Sequence, residues 1–299
     1  MTLQQLRYVL CVAAKGSISE AAKSLFVAQP SLSNAIRDLE NEINITIFHR
    51  TNKGVVVSSE GEEFLGYARQ VLEQMSLLEE KYITGDGGRQ VFTISTQHYS
   101  FAVEAFIDLI KEHGGEKYDF RIRETQTHEI IVDVAHLKSE IGVLYLNPDN
   151  ESVIRQQLKA HELKFHHLFR AKPHVFVSIE NPLAKQALVT LDQLEPYPRL
   201  SFEQGDYNSF YYSEEILSKL ERSKNIMVRD RATLFNLVIG LNGYTISSGV
   251  LSEELNGSGI VAVPLDSDDY MDIGYITHSK TLPSRLGSLY VEYLKSHLE

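Results

Sequence analysis

The chain has 299 residues, a length typical of two domains, with 43% hydrophobic and 23% charged residues and a net charge of −11. This composition excludes a disordered or fibrous protein, and no apolar run approaches the ~18 residues that a membrane span needs. A single cysteine, Cys11, excludes an intramolecular disulfide. Since no signal peptide precedes the first predicted helix, we expect a cytoplasmic protein with no membrane partner.

The charge is distributed unevenly along the chain. Residues 1–58 hold six basic and four acidic side chains, a net charge of +2, whereas the remainder carries −13. The overall negative charge argues against nucleic-acid binding, because phosphate contacts need local positive charge. The mildly basic N-terminal part is therefore where such binding is to be sought.

Helical spacing of apolar residues predicts three helices within the first 45 residues. Gly16 is expected to end the first helix, Ser19 to cap the second, and Pro30 to begin the third. Two β-prone runs on either side of Asn52-Lys53-Gly54 then predict a hairpin. Three helices followed by a hairpin is the order of a winged helix-turn-helix, a DNA-binding unit.

A long helix is predicted next, opened by what resembles a capping box at 59–62. Its apolar residues alternate at spacings of four and three, which is typical of a coiled-coil seam. These residues are Phe64, Ala68, Val71, Met75, Leu78 and Tyr82. Because a glycine-containing break follows at 84–88, we favour a dimer seam; the alternative is a helix that lies on its own domain.

From residue 90 onward, strands alternate with helices, a pattern that predicts βαβ units and largely parallel sheets. Strands are predicted at 92–96, 119–125, 141–146, 174–180, 198–203, 225–230, 244–248, 260–265 and 272–277. Helices are predicted at 99–113, 127–138 and 284–297.

A set of residues at fixed spacing runs through the N-terminal part of the chain: Leu6, Ala13, Ala14, Gly16, Ser17, Ala21, Ala22, Leu25, Gln29, Pro30, Ser31, Leu32, Ser33, Ile36, Leu39, Glu40, Phe48, Arg50 and Gly61. Through this set, residues 1–80 resemble the LysR-type transcriptional regulators. Beyond residue 90 the resemblance is one of length and strand order. Three positions depart from the family pattern: Ala28 replaces a Ser or Thr, Asn44 a Gly, and Ser58 a Thr.

The resemblance implies an α plus α/β architecture. A winged helix-turn-helix DNA-binding domain would span 1–58, a linker helix and hinge 59–89, and a two-lobe α/β effector domain like a periplasmic binding protein 90–299. Lobe one would hold about 90–161 plus 267–299, and lobe two about 162–266, around a cleft for a small effector. The implied partners are double-stranded promoter DNA, further copies of the chain in a dimer or tetramer, and RNA polymerase if the protein is an activator.

The third predicted helix is the candidate DNA reader. Gln and Asn side chains pair with adenine and Arg with guanine, while Ser hydroxyls and a helix N-terminus suit phosphates. The candidate DNA-binding residues are Ser17, Gln29, Pro30, Ser31, Ser33, Asn34 and Arg37, with Arg50 and Lys53 in the hairpin. The alternative is a polar face that is merely solvated.

The candidate effector-binding residues stand at the predicted C-terminal ends of strands, where two-lobe α/β proteins bind ligands. They are Thr96, Gln97, Thr125, Phe202, Thr245 and Ser247. Hydroxyls beside helix N-termini favour an anion such as a carboxylate, although Ser and Thr there are also ordinary helix caps.

No metal or cofactor other than the effector is predicted. The run 161–166 has one residue too many for the HExxH zinc motif, and the aspartates of 266–269 lack the full calcium pattern. Since GxSxG, P-loop and GxGxxG motifs are absent, we predict a LysR-type regulator and not an enzyme. The alternatives are a solute-binding receptor whose helical head serves assembly only, which salt-dependent DNA affinity would exclude, and an enzyme fused to a DNA-binding head, which turnover assays would test.

Overall fold

A computed structural model describes residues 1–51, 54–79 and 90–297. The chain forms two compact units, which we call the N-terminal unit and the C-terminal unit. The first comprises Met1–Arg89 and His136–Lys138, and the second comprises Gln90–Ala135 and Ser139–Glu299. In the part of the chain that the structure describes, no helix is long and apolar enough to cross a membrane.

Three helices and a hairpin form the first part of the N-terminal unit, as predicted. They are α1 (Leu3–Lys15), α2 (Ile18–Ser24), α3 (Gln29–Ile43), β1 (Phe48–Thr51) and β2 (Gly54–Val57). α1 begins with a capping box between Thr2 and Gln5 and ends at Gly16, whose φ of 63° lies in the left-handed region. Asn44 ends α3 in the same conformation, with a φ of 55°. Apolar side chains from all three helices and the hairpin share one buried core.

Two predicted helix caps are displaced. Ser17, rather than Ser19, caps α2, because its hydroxyl accepts a hydrogen bond from the amide of the third helical residue at 3.4 Å. The long helix α4 (Ser59–Glu79) begins after Ser58, whose hydroxyl accepts the Gly61 amide at 2.8 Å. In both places the serine just before the helix is the cap, since the capping hydroxyl must reach the amide three residues on.

The C-terminal unit alternates strands and helices. In chain order its elements are β3 (Gln90–Thr96), α5 (Ser100–His113), β4 (Tyr118–Glu124), α6 (Thr127–Ala135), β5 (Ile141–Leu146), α7 (Glu151–Ala160), β6 (Leu163–Ala171), β7 (His174–Ser178), β8 (Arg199–Phe202), β9 (Asn225–Val228), α8 (Arg231–Gly240), β10 (Tyr244–Ser247), α9 (Glu253–Asn256), β11 (Ile260–Pro264), β12 (Met271–His278) and α10 (Arg285–Ser296). All nine predicted strands are present, together with β6, which covers a run after residue 161 whose sequence is β-prone but for which no strand bounds were predicted.

These strands form two five-stranded sheets, one in each lobe. The strand order is β4-β3-β5-β12-β6 in lobe one and β11-β7-β10-β8-β9 in lobe two. In each sheet four strands run in one direction, and a single strand, β12 or β7, runs against its neighbours. Helices α5 and α10 pack together on one face of the first sheet, and the side chains of α6 and α7 share a separate core with β5.

The observed boundary between the lobes differs from the predicted one. We expected the chain to leave lobe one near residue 162, but β6 pairs with β12 from Leu163 to Ala171. The first crossing therefore lies between Ala171 and His174, and the chain returns between Pro264 and Met271. The expectation failed because the β-prone run after residue 161 is an edge strand of the first sheet, and periodicity does not tell which sheet a strand joins.

Residues 204–220, which we call the strap, connect β8 towards β9 and pack on lobe one. The strap contains turns and one short 3-10 turn, Gly205–Tyr207. Its Gln204 side-chain oxygen accepts the Thr127 amide at 3.0 Å, and the Thr127 hydroxyl donates to the Tyr212 carbonyl at 2.8 Å. Through these bonds a segment that starts in lobe two is fixed to lobe one.

Candidate functional site

The outward face of α3 carries the polar residues that the sequence identified. Exposed on it are Gln29, Pro30, Ser31, Asn34 and Arg37, and Ser33 is half-buried. The opposite face is buried in the core through Leu32, Ile36 and Leu39. Ala28, the residue before the helix, makes no side-chain cap hydrogen bond, so the first turn lacks a side-chain acceptor. A helix N-terminus of this kind suits an anion such as a phosphate.

Hydrogen bonds order this surface. The Arg37 guanidinium donates to the Asn34 side-chain oxygen at 3.1 Å. Arg50 on β1 reaches α3, where it donates to the Ser33 hydroxyl at 2.9 Å. The hairpin thus adds a second guanidinium group to the face of α3. The two guanidinium groups and the neighbouring side-chain amides can donate hydrogen bonds to phosphate oxygens and to the edges of bases.

The remaining candidates for DNA binding are placed differently. Ser17 is half-buried and caps α2, so its hydroxyl has a structural partner. Lys53 lies outside the described residues. Gln29 is joined to the first turn of α2, since the Ser19 hydroxyl donates to its side-chain oxygen at 2.8 Å.

The candidate seam on α4 divides into a buried and an exposed part. Ala68 is buried and Phe64 packs against the core of the N-terminal unit. Val71 is 46% exposed and Leu78 is 55% exposed, with the half-buried Met75 between them. Tyr82 lies outside the described residues. The second half of α4 therefore presents an apolar face to solvent in the single chain.

In the C-terminal unit, three of the predicted cleft residues meet in one pocket. Phe202 at the end of β8 and Thr245 and Ser247 on β10 line it, together with His98 and Arg231, which the sequence analysis did not select. The pocket is lined by both lobes. His98 follows β3 of lobe one, whereas Phe202, Arg231, Thr245 and Ser247 belong to lobe two. Aromatic walls with a few polar groups are usual for small-molecule sites.

Thr96 and Gln97 do not line this pocket. Both are buried, and the Thr96 hydroxyl donates to the Gln97 carbonyl at 2.7 Å. The Gln97 side chain donates to the Thr127 hydroxyl at 2.7 Å and accepts the Tyr145 amide at 3.2 Å. The hydrogen-bonding groups of Gln97 thus link the ends of neighbouring strands. Thr96 and Gln97 therefore stabilise the fold beside the cleft and do not line the pocket.

Thr125 lies at the mouth of the cleft rather than in the inner pocket. Its hydroxyl donates to Glu129. The mouth is lined by His98, Glu124, Thr125, Gln126, Glu129, Glu203, Gly205, Asp206 and Arg229. Two of its carboxylates are paired with cations of lobe two, Glu203 with Arg229 at 2.5 Å and Glu124 with Arg231. The second pair joins the lobes, and burial lowers the pKa of the Arg231 guanidinium.

Two adjacent glutamates of the strap are buried in the cleft. Glu214 accepts a hydrogen bond from the His98 amide at 3.0 Å and is 2.8 Å from the Nδ1 atom of the His98 ring. Glu215 accepts the Phe202 amide at 2.8 Å and the Ser213 hydroxyl at 3.1 Å. Burial, and next the charge of Glu214, raises the pKa of Glu215 to about 7.

The most polar residues of the cleft are therefore ones that sequence reasoning missed. His98 stands two residues after a predicted strand end, and this position was the only signal for it. Glu214 and Glu215 follow a segment rich in aromatic residues, and no sequence pattern marked them as cleft residues. Among the described residues, no group of three or more His, Cys, Asp or Glu side chains is placed to hold a metal ion.

Comparison with known proteins covers both units. Residues 3–62 match the family model described as "Bacterial regulatory helix-turn-helix protein, lysR family", and residues 116–299 match the "LysR substrate binding domain". An uncharacterized HTH-type transcriptional regulator of Bacillus subtilis, YvbU, is 23% identical over 99% of this chain and 98% of its own length. The HTH-type transcriptional regulator CzcR of Bacillus thuringiensis is 23% identical over 99% of this chain and 91% of its own.

A solved structure gives the same fold at full length. A full-length OxyR variant of Pseudomonas aeruginosa superposes with a TM-score of 0.64 and 18% identity, covering 99% of this chain and 98% of that one. At this identity the likeness concerns the fold alone, and it extends over both the N-terminal unit and the C-terminal unit.

Proposed function

Because the chain belongs to the LysR family of bacterial transcriptional regulators, with its helix-turn-helix and effector-binding domains, we propose that it reads promoter DNA through α3 and the hairpin. The observation that carries this proposal is the exposed face of α3, where Asn34 orients Arg37 and Arg50 arrives from the hairpin. The matched families favour this function over a solute receptor whose head serves assembly only.

Substitution of Arg37 tests this assignment. Arg37→Ala is expected to weaken specific operator binding by roughly 1–3 kcal/mol, or about 5- to 150-fold, because a guanidinium contact to a base edge is lost. The effect is measured by a mobility-shift titration, repeated at several salt concentrations. The probe is the DNA immediately upstream of the gene that encodes this protein.

The matched control is Lys111→Ala, which removes one positive charge from an exposed position of the C-terminal unit. This variant is expected to bind the operator as the unchanged protein does. If Arg37→Ala retains full operator affinity, Arg37 is not part of the reading surface.

We also propose that two chains pair through the exposed half of α4. Its Val71 and Leu78 side chains offer apolar area that a second copy of the same helix would cover. Leu78→Glu is then expected to shift the protein towards the monomer, since a charge would be buried in the seam. Light scattering coupled to size-exclusion chromatography reports the mass.

Ser76→Glu is the control for this prediction, because Ser76 is exposed on the same helix but outside the seam spacing. It is expected to leave the assembly unchanged. An unaltered mass for Leu78→Glu would place the contact between subunits elsewhere.

The remaining assignments complete this proposal. A small effector, anionic in character, binds in the cleft of the C-terminal unit and changes the assembly's contact with promoter DNA and, if the protein is an activator, with RNA polymerase. Such action requires the effector to bind one conformation better than the other. The assembly is a dimer or tetramer located in the cytoplasm, with no catalytic role.

A further inference from the structure

The strap enters the cleft and places the carboxylate of Glu214 among donors from His98 of lobe one and from Gln204 at the start of the strap itself. One oxygen of Glu214 receives the His98 amide at 3.0 Å and lies 2.8 Å from the ring Nδ1 atom, and the other receives the Gln204 side-chain amide at 3.3 Å. The His98 and Glu214 side chains are only 5% and 6% exposed. This carboxylate is therefore held as a bound ligand would be, in a buried set of N–H donors.

The donors are fixed independently of Glu214. The His98 ring stacks on Phe202 with 3.7 Å between ring centroids and an angle of 5° between the planes. Gln204 is held by the bond from the Thr127 amide to its side-chain oxygen at 3.0 Å, which directs its amide nitrogen towards the cleft. Because these side chains are already oriented, the site would persist if Glu214 left it.

A second buried carboxylate, that of Glu215, follows Glu214 directly in the strap. Burial, and next the charge of Glu214, raises the pKa of Glu215 to about 7. If another carboxylate took the donors, Glu214 could move to water. The inner pocket has Phe176, Phe202 and Phe235 in its walls and is also lined by His98, so it gives the body of a ligand an apolar surface beside this donor.

We propose that His98 and Gln204 form a binding site for a small organic carboxylate, and that the chain's own Glu214 fills this site when the ligand is absent. The inference rests on the proposed function in one respect, namely that the C-terminal unit takes a small effector. Ligand binding then competes with the Glu214 side chain, and occupancy of the site releases this side chain from His98 of lobe one.

Chemical rescue tests the site without knowledge of the natural ligand. Glu214→Ala removes the CH₂ and carboxylate groups beyond Cβ, and acetate has the matching structure. The variant's melting temperature is expected to rise saturably with sodium acetate at constant ionic strength, by several degrees more than that of the unchanged protein. Glu203→Ala, which removes a carboxylate paired with Arg229 at the mouth, is the control and is expected to show no acetate-specific rise.

The additional change His98→Ala in the Glu214→Ala background should abolish the response to acetate. An acetate response that is absent, or equal in Glu214→Ala, Glu203→Ala and the unchanged protein, overturns the proposal. Should Glu214→Ala fail to fold, Glu214→Gln preserves the side-chain length while competing less well for the donors. Titration calorimetry with propionate is then expected to give an affinity at least about tenfold higher than in the unchanged protein, and equal affinities overturn the proposal.

Operator binding is a separate readout. If the unchanged protein does not bind operator DNA, the proposed function is contradicted. A missing acetate or propionate response counts against the carboxylate site alone.

Discussion

Glu215→Gln is expected to raise the free energy of unfolding by about 3 kcal/mol at pH 8, and by less than about 1 kcal/mol at pH 5. Burial and the neighbouring Glu214 raise the pKa of Glu215 to about 7 from its ordinary value of 4.5. Between pH 4.5 and about pH 7, the folded chain keeps a proton on Glu215 that the unfolded chain releases. The stabilising contribution of this group is therefore complete below pH 4.5 and is lost as the pH rises through 7.

Glutamine preserves the local bonds and does not titrate. Its amide oxygen can accept the Phe202 amide, and its NH₂ group can donate to the Ser213 hydroxyl, the two partners that the carboxylate now has. Urea unfolding of the full chain, followed by circular dichroism at pH 5 and pH 8, measures the difference. Glu180→Gln, the same chemical change at an exposed position, should have little effect at either pH. Equal pH dependence in Glu215→Gln and the unchanged protein would contradict the prediction.

Gly61→Ala is expected to destabilise the N-terminal unit by about 3 kcal/mol and to lower operator affinity with it. A Cβ atom at this position would stand 2.4 Å from the Ile47 carbonyl oxygen and 3.0 Å from the Ile47 Cα atom. Because these are backbone atoms, no side-chain rotation relieves the contact. The start of α4 would have to move, which opposes the bonds from the Ser58 amide to Ile47 at 2.9 Å and from the Ser58 hydroxyl to Thr46 at 2.5 Å.

The control for this prediction is Gly240→Ala at the end of α8, where a Cβ atom would meet nothing within 4 Å. Alanine favours helix over glycine by up to about 1 kcal/mol, so this variant should keep or slightly raise the melting temperature. Thermal unfolding and the mobility-shift assay together follow both variants. A Gly61→Ala protein with unchanged melting temperature and operator affinity would show that α4 accommodates the methyl group.

Periodicity and local chemistry were sufficient to predict most of the elements. Helical spacing of apolar residues predicted the third helix, and Leu32, Ile36 and Leu39 form its buried face while the opposite face is exposed as expected. Gly16 and Asn44 end helices in the left-handed conformation, which their small or polar side chains tolerate. These features depend on residues three or four apart, and such short-range constraints are legible in a single sequence.

The cleft depends on contacts that a single sequence does not display. Thr96 and Gln97 do stand at a strand end, yet the Thr96 hydroxyl donates to the main-chain carbonyl of Gln97 and the Gln97 side chain donates to the Thr127 hydroxyl, so neither side chain lines the pocket. His98 meets Glu214 across 116 positions of the chain. Which of several polar residues near a strand end faces a ligand is decided by such distant partners, so the position of the cleft and part of its lining could be predicted, but His98, Glu214 and Glu215 could not.

The two passages of the chain between the lobes run side by side. Ala171 pairs with Met271 where the first sheet ends, and His174 pairs with Pro264 where the second begins. Two adjacent backbone connections have the geometry of a hinge, about which packed lobes can rotate as rigid bodies. The Thr127, Tyr212 and Glu214 contacts of residues 204–220 brace this hinge, so a molecule that displaces the Glu214 side chain would remove one of these braces.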